Sequence, residues 1–325
     1  MQAGTAHPNW LLQRMLEPGR SQVGKGSPAR FFGNVRYVLM NYRGLLAADA
    51  RTERPPQSSM LEVEFAQLSD RGRVREQNED YLGYALPATP AEARTHGWLF
   101  ALADGVGGQQ LGEVAARAAV ESLLASFRAA AGGETHSSLL PRLVQAANAH
   151  VLETGLKAGP GGAAMATTLV ACALRYNRAV VAHVGDSRCY LVRSGRAAAL
   201  TRDHTVASEQ ARLGLLSTQE AAEVETRHVL SRSLGGDLFV GVETGDHQVL
   251  AGDVLVLCSD GLYGAVPESD LARVVSHSLD LNAAAGELVA LANERDGSDN
   301  ISVQLVRVRS VERVGMYRGR PYKLR

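Results

Sequence analysis

Cysteine is scarce in this chain. Only Cys172, Cys189 and Cys258 occur, each inside an apolar stretch, and their odd number without regular spacing excludes a disulfide framework and a zinc-ligand motif. They read as small buried hydrophobes of a chain kept in a reducing compartment, so a cytoplasmic protein is expected. Net charge is lacking too. The 34 basic residues balance 34 acidic ones, so no attraction to nucleic acid is expected from the chain as a whole. No stretch approaches the roughly 20 nearly uncharged apolar residues of a membrane span. The most apolar part of the first sixty residues, 31–46, is broken by Asn34, Arg36, Asn41 and Arg43, and no compact apolar core of a secretory signal is legible there. Aromatic residues make up only 5% of the chain against 33 glycines, so tight turns rather than aromatic platforms are expected to shape its loops.

What the sequence does have is a repeated device. The apolar run 98–103 lacks polar alternation, which suits a strand buried on both faces. It ends in Asp104, followed by Gly105, Gly107 and Gly108, and a helical pattern begins at Gly112. A single Asp-Gly after a strand is ordinary turn chemistry. Here the arrangement recurs. Run 254–258 closes with Ser259-Asp260-Gly261, and run 179–184 closes with Gly185-Asp186-Ser187. Asp299-Asn300 precedes run 301–308, and Asp80 precedes a strand from Tyr81. Aspartates at so many strand ends point to a shared rim of carboxylates. An all-oxygen set of that kind suits Mg²⁺ or Mn²⁺ rather than zinc.

Three regions follow from composition. Residues 1–60 read as an extension and linker, rich in Gly, Pro, Ser and Arg. Within it, 31–46 reads as a short helix that packs back on the main domain, or else as a docking peptide or membrane-surface contact. Residues 61–309 are regular. Strands are expected at 61–68, 81–86, 98–103, 167–174, 188–193 and 197–200, with a hairpin at Tyr176-Asn-Arg178. Two more are expected at 239–243 and 247–250, joined by a turn at Thr244-Gly-Asp246. Helices are expected near 112–131, 138–157, 267–278 and 282–295, with a break at Gly159-Pro-Gly-Gly162. The polar, weakly helical stretch 201–227 reads as a mobile flap on a sheet edge. Residues 310–325 read as a basic, mobile C-terminal tail. This order of elements predicts an α+β fold, a four-layer α-β-β-α sandwich of two stacked, mostly antiparallel sheets flanked by helices.

From Gln67 to Val308 the chain resembles the metal-dependent protein serine/threonine phosphatases of the PP2C type (the PPM family) in their bacterial form. The matching pieces occur in the family's order. They are Ser69-Asp-Arg-Gly72 with Arg75-x-x-Asn78-Glu-Asp80, Ala103-Asp-Gly-Val-Gly-Gly108, Ala166-Thr-Thr168, Val184-Gly-Asp-Ser-Arg188, Leu200-Thr-Arg-Asp-His204, Leu257-Cys-Ser-Asp-Gly-Leu262 and Ser298-Asp-Asn300.

The resemblance implies Asp80, Asp104, Asp260 and Asp299 as ligands of a two-metal core, with the Gly105 carbonyl as a further ligand. It implies Asp186 as a ligand of a weaker third metal, which competes with the plainer reading of Asp186 as a hairpin cap. Arg75 takes the position of the phosphate-binding arginine, and Glu79 that of a group ordering metal-bound water. The implied cofactor is Mn²⁺ or Mg²⁺. The implied reaction is hydrolysis of phosphoserine and phosphothreonine in proteins by a hydroxide bridging two metals. The implied partners are phosphoprotein substrates and a cognate Ser/Thr kinase, and the chain is expected to be a monomer. Two departures stand out. Ala166 replaces the usual glycine, and no histidine follows Asp104-Gly105, so a bound water is left to protonate the leaving group. His204 reads as structural. The alternatives are a phosphoprotein-binding pseudophosphatase, which would be expected to lack a core aspartate, and an esterase for small phosphate esters.

Overall fold

The computed structural model describes residues 60–106, 111–158, 165–317 and 320–323. The expectations for 1–59, for Gly107 and Gly108, and for the break at 159–162 lie outside the described residues. In chain order the elements are β1 (Glu62–Asp70), β2 (Tyr81–Ala85), α1 (Pro90–Thr95), β3 (Trp98–Ala103), β4 (Gly105–Val106), α2 (Gly112–Ala129) and α3 (His136–Lys157). There follow β5 (Ala166–Thr167), β6 (Leu169–Arg175), β7 (Arg178–Val184), β8 (Arg188–Arg193), β9 (Arg196–Ala199), α4 (Val206–Arg212), α5 (Thr218–Glu223) and a 3₁₀ turn, Glu225–His228. The chain continues through β10 (Glu243–Gln248), β11 (Val254–Cys258), α6 (Asp260–Tyr263), α7 (Glu268–His277), α8 (Leu281–Arg295), β12 (Ile301–Ser310), β13 (Val314–Tyr317) and β14 (Arg320–Lys323).

Ten of the strands form two five-stranded antiparallel sheets. One has the order β1-β12-β11-β8-β9 and the other β10-β7-β6-β3-β2. The central strands β3, β6, β11 and most of β12 are buried on both faces, which explains their unbroken apolar runs. Three apolar layers result. Phe65, Phe100, Val170, Cys172, Cys189 and Leu257 fill the space between the sheets. Outside the β3–β6–β7 face, α2 contributes Ala115, Ala119, Val120, Leu123 and Phe127 at helical spacing, alongside Leu140 and Val144 of α3. Outside the other sheet, Leu271, Val275, Ala285 and Leu288 of α7 and α8 do the same. This is the four-layer sandwich.

Two local expectations are corrected, and one helix is added. The strands expected at 239–243 and 247–250 are a single edge strand, β10. It runs straight through Thr244-Gly-Asp246 because each of its residues pairs along β7, from Glu243 opposite His183 to Gln248 opposite Arg178. A continuous ladder overrides the local turn preference. The residues expected to be a mobile tail at 310–325 instead carry an antiparallel pair, with Val314 opposite Lys323 and Tyr317 opposite Arg320. Helix α1 was not anticipated, although its signal is in the sequence. Thr89 caps it by accepting from the Glu92 N–H at 3.1 Å, Pro90 opens it, and Glu92 reaches back to the Ala88 N–H at 2.6 Å.

Candidate active site

The pairing of β1 with β12 sets Asp70 opposite Ile301, which brings loop 71–80 beside Asp299 and Asn300. One buried amide then fixes that loop. Asn300 Nδ2 donates to the carbonyls of Arg71 and Gln77, both at 2.9 Å, and its Oδ1 accepts from the Glu79 N–H at 2.8 Å. Asn78 accepts from the Asp80 N–H at 3.1 Å and donates to Ser69 Oγ at 2.7 Å. Ser259 Oγ donates to Asp80 Oδ2 at 2.8 Å and accepts from the Ser302 N–H at 2.9 Å.

Asp104 is strapped by the two threonines. Its N–H donates to Thr168 Oγ1 at 2.9 Å, and its carbonyl accepts from Thr168 N and Thr167 Oγ1, both at 2.8 Å. Thr168 Oγ1 also meets Ser187 Oγ at 2.7 Å, which ties Asp104 to the turn carrying Asp186. That turn requires Gly185. Its φ of +99° is left-handed, and a Cβ there would lie 2.7 Å from Thr168 Cβ. Gly112 has a different reason. A Cβ at the start of α2 would lie 2.8 Å from the carboxylate carbon of Glu79.

These elements surround a cleft of about 510 Å³. The predicted residues Arg75, Glu79, Asp104, Gly105, Asp186, Asp260 and Asp299 all line it. Asp80 does not line it and lies deeper, 7% exposed. Arg227, His228 and Leu230 of the flap line the cleft too, and nothing in the sequence pattern pointed to them. The flap itself reaches beyond the expected 227, because Thr205 bridges to Leu230 across its base.

The carboxylates disturb one another. Burial pushes Asp80 up to about 7 against the neighbouring hydroxyls of Ser302 and Ser259, and the charges of Asp260 and Asp299 add to the rise. Burial, then Asp80 and Asp260, holds Asp104 well above the usual carboxylate range. Asp186 is pushed to about 7 by burial and by Asp260, and Asp260 is raised by burial and Asp299. Glu79 is raised by burial, opposed by Arg75. Arg75 answers part of this charge through a 2.7 Å ion pair with Asp299, with its side chain 47% exposed. Asp80 Oδ1 is buried with no hydrogen-bond partner. A crowd of buried oxygens with one left unpaired fits hard divalent cations. Their positive charge would favour the ionised form of the carboxylates that hold them.

A second group, His183, His204 and Glu243, places three metal-type donor atoms within 4.8 Å of one another. Its donors are already taken. Arg202 Nη2 donates to Glu243 Oε2 at 3.0 Å, and Arg232 Nη1 lies 3.4 Å from His204 Nε2. Two guanidinium groups repel a cation there. His204 Nδ1 accepts from the Gly185 N–H at 3.2 Å, and its ring stacks on His183 at 4.6 Å. The group therefore acts as a strut between the flap base and the Asp186 turn. Nothing in the sequence pattern marks a role for Thr167, Thr168, Ser187, Ser259 or Asn300. Each stands next to a candidate ligand or bonds to one. Which backbone group each would hold is a tertiary matter.

The family model "Protein phosphatase 2C" matches residues 73–296. The serine/threonine phosphatase stp of Listeria monocytogenes is 34% identical over 242 residues, covering 73% of this chain and 93% of the relative. Among solved structures, the S. agalactiae serine/threonine phosphatase is similar, with a TM-score of 0.69 and 31% identity, over 76% of this chain and all of that one. The catalytic domain of the serine/threonine protein phosphatase PstP, solved with two manganese ions, has a TM-score of 0.65 and 31% identity, over 77% of this chain and all of that one. With this match and this fold, the chain belongs to the protein phosphatase 2C family of metal-dependent protein serine/threonine phosphatases.

Proposed function

We propose that the chain hydrolyses phosphoserine and phosphothreonine in proteins at a two-metal centre of Mn²⁺ or Mg²⁺, in the cytoplasm, as a monomer that reverses a Ser/Thr kinase. The observation that carries this reading is the set of carboxylates lining the cleft above the buried, unpaired Asp80 Oδ1. Asp80, Asp104, Asp260 and Asp299, with the Gly105 carbonyl, would hold the pair of cations. Asp186 would share a weaker third ion with Asp260. Bound there, the cations make water a nucleophile at neutral pH and screen the phosphate oxygens. Glu79, in the cleft wall, would accept a hydrogen bond from the attacking water and so orient it. Arg75 takes two phosphate oxygens with its planar fork, a geometry that lysine cannot copy. To do so it turns from Asp299, its partner at 2.7 Å, and its half-exposed position leaves it free to move. Water serves as the proton donor to the leaving oxygen.

The test is phosphopeptide hydrolysis with added Mn²⁺. Activity is expected to disappear in excess EDTA and return with metal. It should fall by at least about a thousandfold in Asp104→Asn and Asp260→Asn, the scale of losing the dominant electrostatic contribution. Full activity in EDTA overturns the proposal.

A further inference from the structure

The flap places two hydrogen-bond donors over the cleft that the proposed chemistry does not use. The 3₁₀ turn carries Arg227 and His228, both of which line the cleft. Arg227 Nε donates to His228 Nε2 at 2.7 Å, and Arg227 Nη1 donates to the Ala222 carbonyl at 3.1 Å. Two of its three nitrogens are thus anchored to the flap itself, and the third, Nη2, has no hydrogen-bond partner among the described residues. No carboxylate among the described residues pairs with Arg227. This contrasts with Arg202, Arg212 and Arg232 of the same region, each of which has an acidic partner within 3.0 Å. Since His228 Nε2 accepts, the proton of the neutral ring sits on Nδ1, which is a second donor on the same turn.

The turn is also held in place. Arg227 N donates to the Val224 carbonyl at 3.2 Å, Val229 N donates to Thr226 at 3.0 Å, and Val206 N donates to Val229 at 2.8 Å. Arg232 bonds Glu209 of α4 at 2.9 Å. A guanidinium with one free edge, anchored on the flap and lining the cleft, can receive an oxyanion brought by the substrate.

We propose that Arg227, positioned by His228, is a specificity-determining residue that binds an oxyanion on a residue flanking the phosphoserine or phosphothreonine. The oxyanion is either a carboxylate or a second phosphate. The proposal rests on the hydrolytic reading above. The reacting phosphate belongs with Arg75 and the aspartates, on the part of the cleft formed by loop 71–80 and the strand ends. A group on the flap meets only what extends beyond that phosphate, so small esters gain nothing from it.

The experiment compares kcat/KM with Mn²⁺ for four substrates: p-nitrophenyl phosphate and three phosphothreonine peptides flanked by Ala, by Glu or by a non-hydrolysable phosphonate. In the unaltered protein both acidic peptides are expected to exceed the Ala peptide by about tenfold, carried by KM and shrinking with added salt. Arg227→Ala is expected to bring both ratios to near one, and Arg227→Lys to restore part of each. A preference for the phosphonate alone identifies a second phosphate as the ligand, and one for both acids identifies oxyanions in general. No acidic preference in the unaltered protein overturns the proposal. So does an Arg227→Ala loss that is equal across all four substrates, which would place Arg227 on the reacting phosphate or in the flap's own stability. If the unaltered protein cleaves none of the peptides while folded and loaded with Mn²⁺, the hydrolytic reading itself fails.

Discussion

Asp80 has one carboxylate oxygen bonded to Ser259 and the other bonded to nothing among the described residues. Ser259 thus orients a candidate ligand without being one. Ser259→Ala is expected to weaken Mn²⁺ binding by about 10–100-fold, the usual effect of removing a ligand's hydrogen-bond partner, while saturating metal restores most of the turnover. Metal titration beside kinetics checks this, and unchanged affinity would sink it. Asp186 has a sufficient structural reason to exist in a Gly-Asp-Ser turn, so its variant separates two roles. Loss of a cap costs about 1 kcal/mol and leaves turnover intact. The expected result for Asp186→Ala is the opposite, with strongly reduced turnover, an altered weak-site metal isotherm and an unchanged melting temperature. His136, at the start of α3, is 5% exposed and donates to the His96 carbonyl at 2.7 Å, and burial, helped by Arg175, lowers it to about 4. The folded protein keeps it neutral while the unfolded chain protonates it below about 6.5. Its contribution is therefore complete above pH 6.5 and is lost as the pH falls toward 4. Relative to His136→Gln, the unaltered protein should lose about 3 kcal/mol across that window in denaturant melts.

At the scale of elements, the flap is the part whose sequence and structure say different amounts. Its helices α4 and α5 are legible from their caps. Thr205 accepts from the Ser208 N–H at 3.2 Å, and Ser217 forms a reciprocal box with Glu220. Its placement over the cleft is not legible, because it depends on the Thr205–Leu230 bridge and on Arg232 reaching Glu209. Shortening the flap between 206 and 229 is expected to lower kcat/KM for phosphopeptides at least about tenfold more than for p-nitrophenyl phosphate, since a remote element contributes binding only to a large substrate. Equal losses for both would argue against a substrate-binding role. The strand β10 makes the same point from the other side. A local Gly-Asp turn signal gave way to a full ladder with β7, which no window of sequence contains.

At the scale of the whole molecule, every candidate site residue lies after Met60, and the two sheets begin at Glu62. A chain starting near Ser58 is expected to fold and to hydrolyse p-nitrophenyl phosphate near the rate of the full chain. An insoluble or inactive product would put residues 31–46 inside the core. The layers are legible in the amino-acid sequence alone. Unbroken apolar runs marked strands covered on both faces, and the 3.6-residue spacing of α2 and α8 marked helices laid against them. The sequence also carries the expectation of the chemistry, because aspartates at successive strand ends suit a hard cation. How far each carboxylate is buried depends instead on packing, which leaves Asp80 beneath the cleft while Asp104 and Asp260 line it. The same holds for Asn300, which clasps loop 71–80, and for Arg227 on the flap, which shares a cleft with Arg75. These are pairings between residues far apart in the chain. Their positions are set by sheet register and by the packing of sheet on sheet, and such contacts leave no periodic trace in either partner's own neighbourhood.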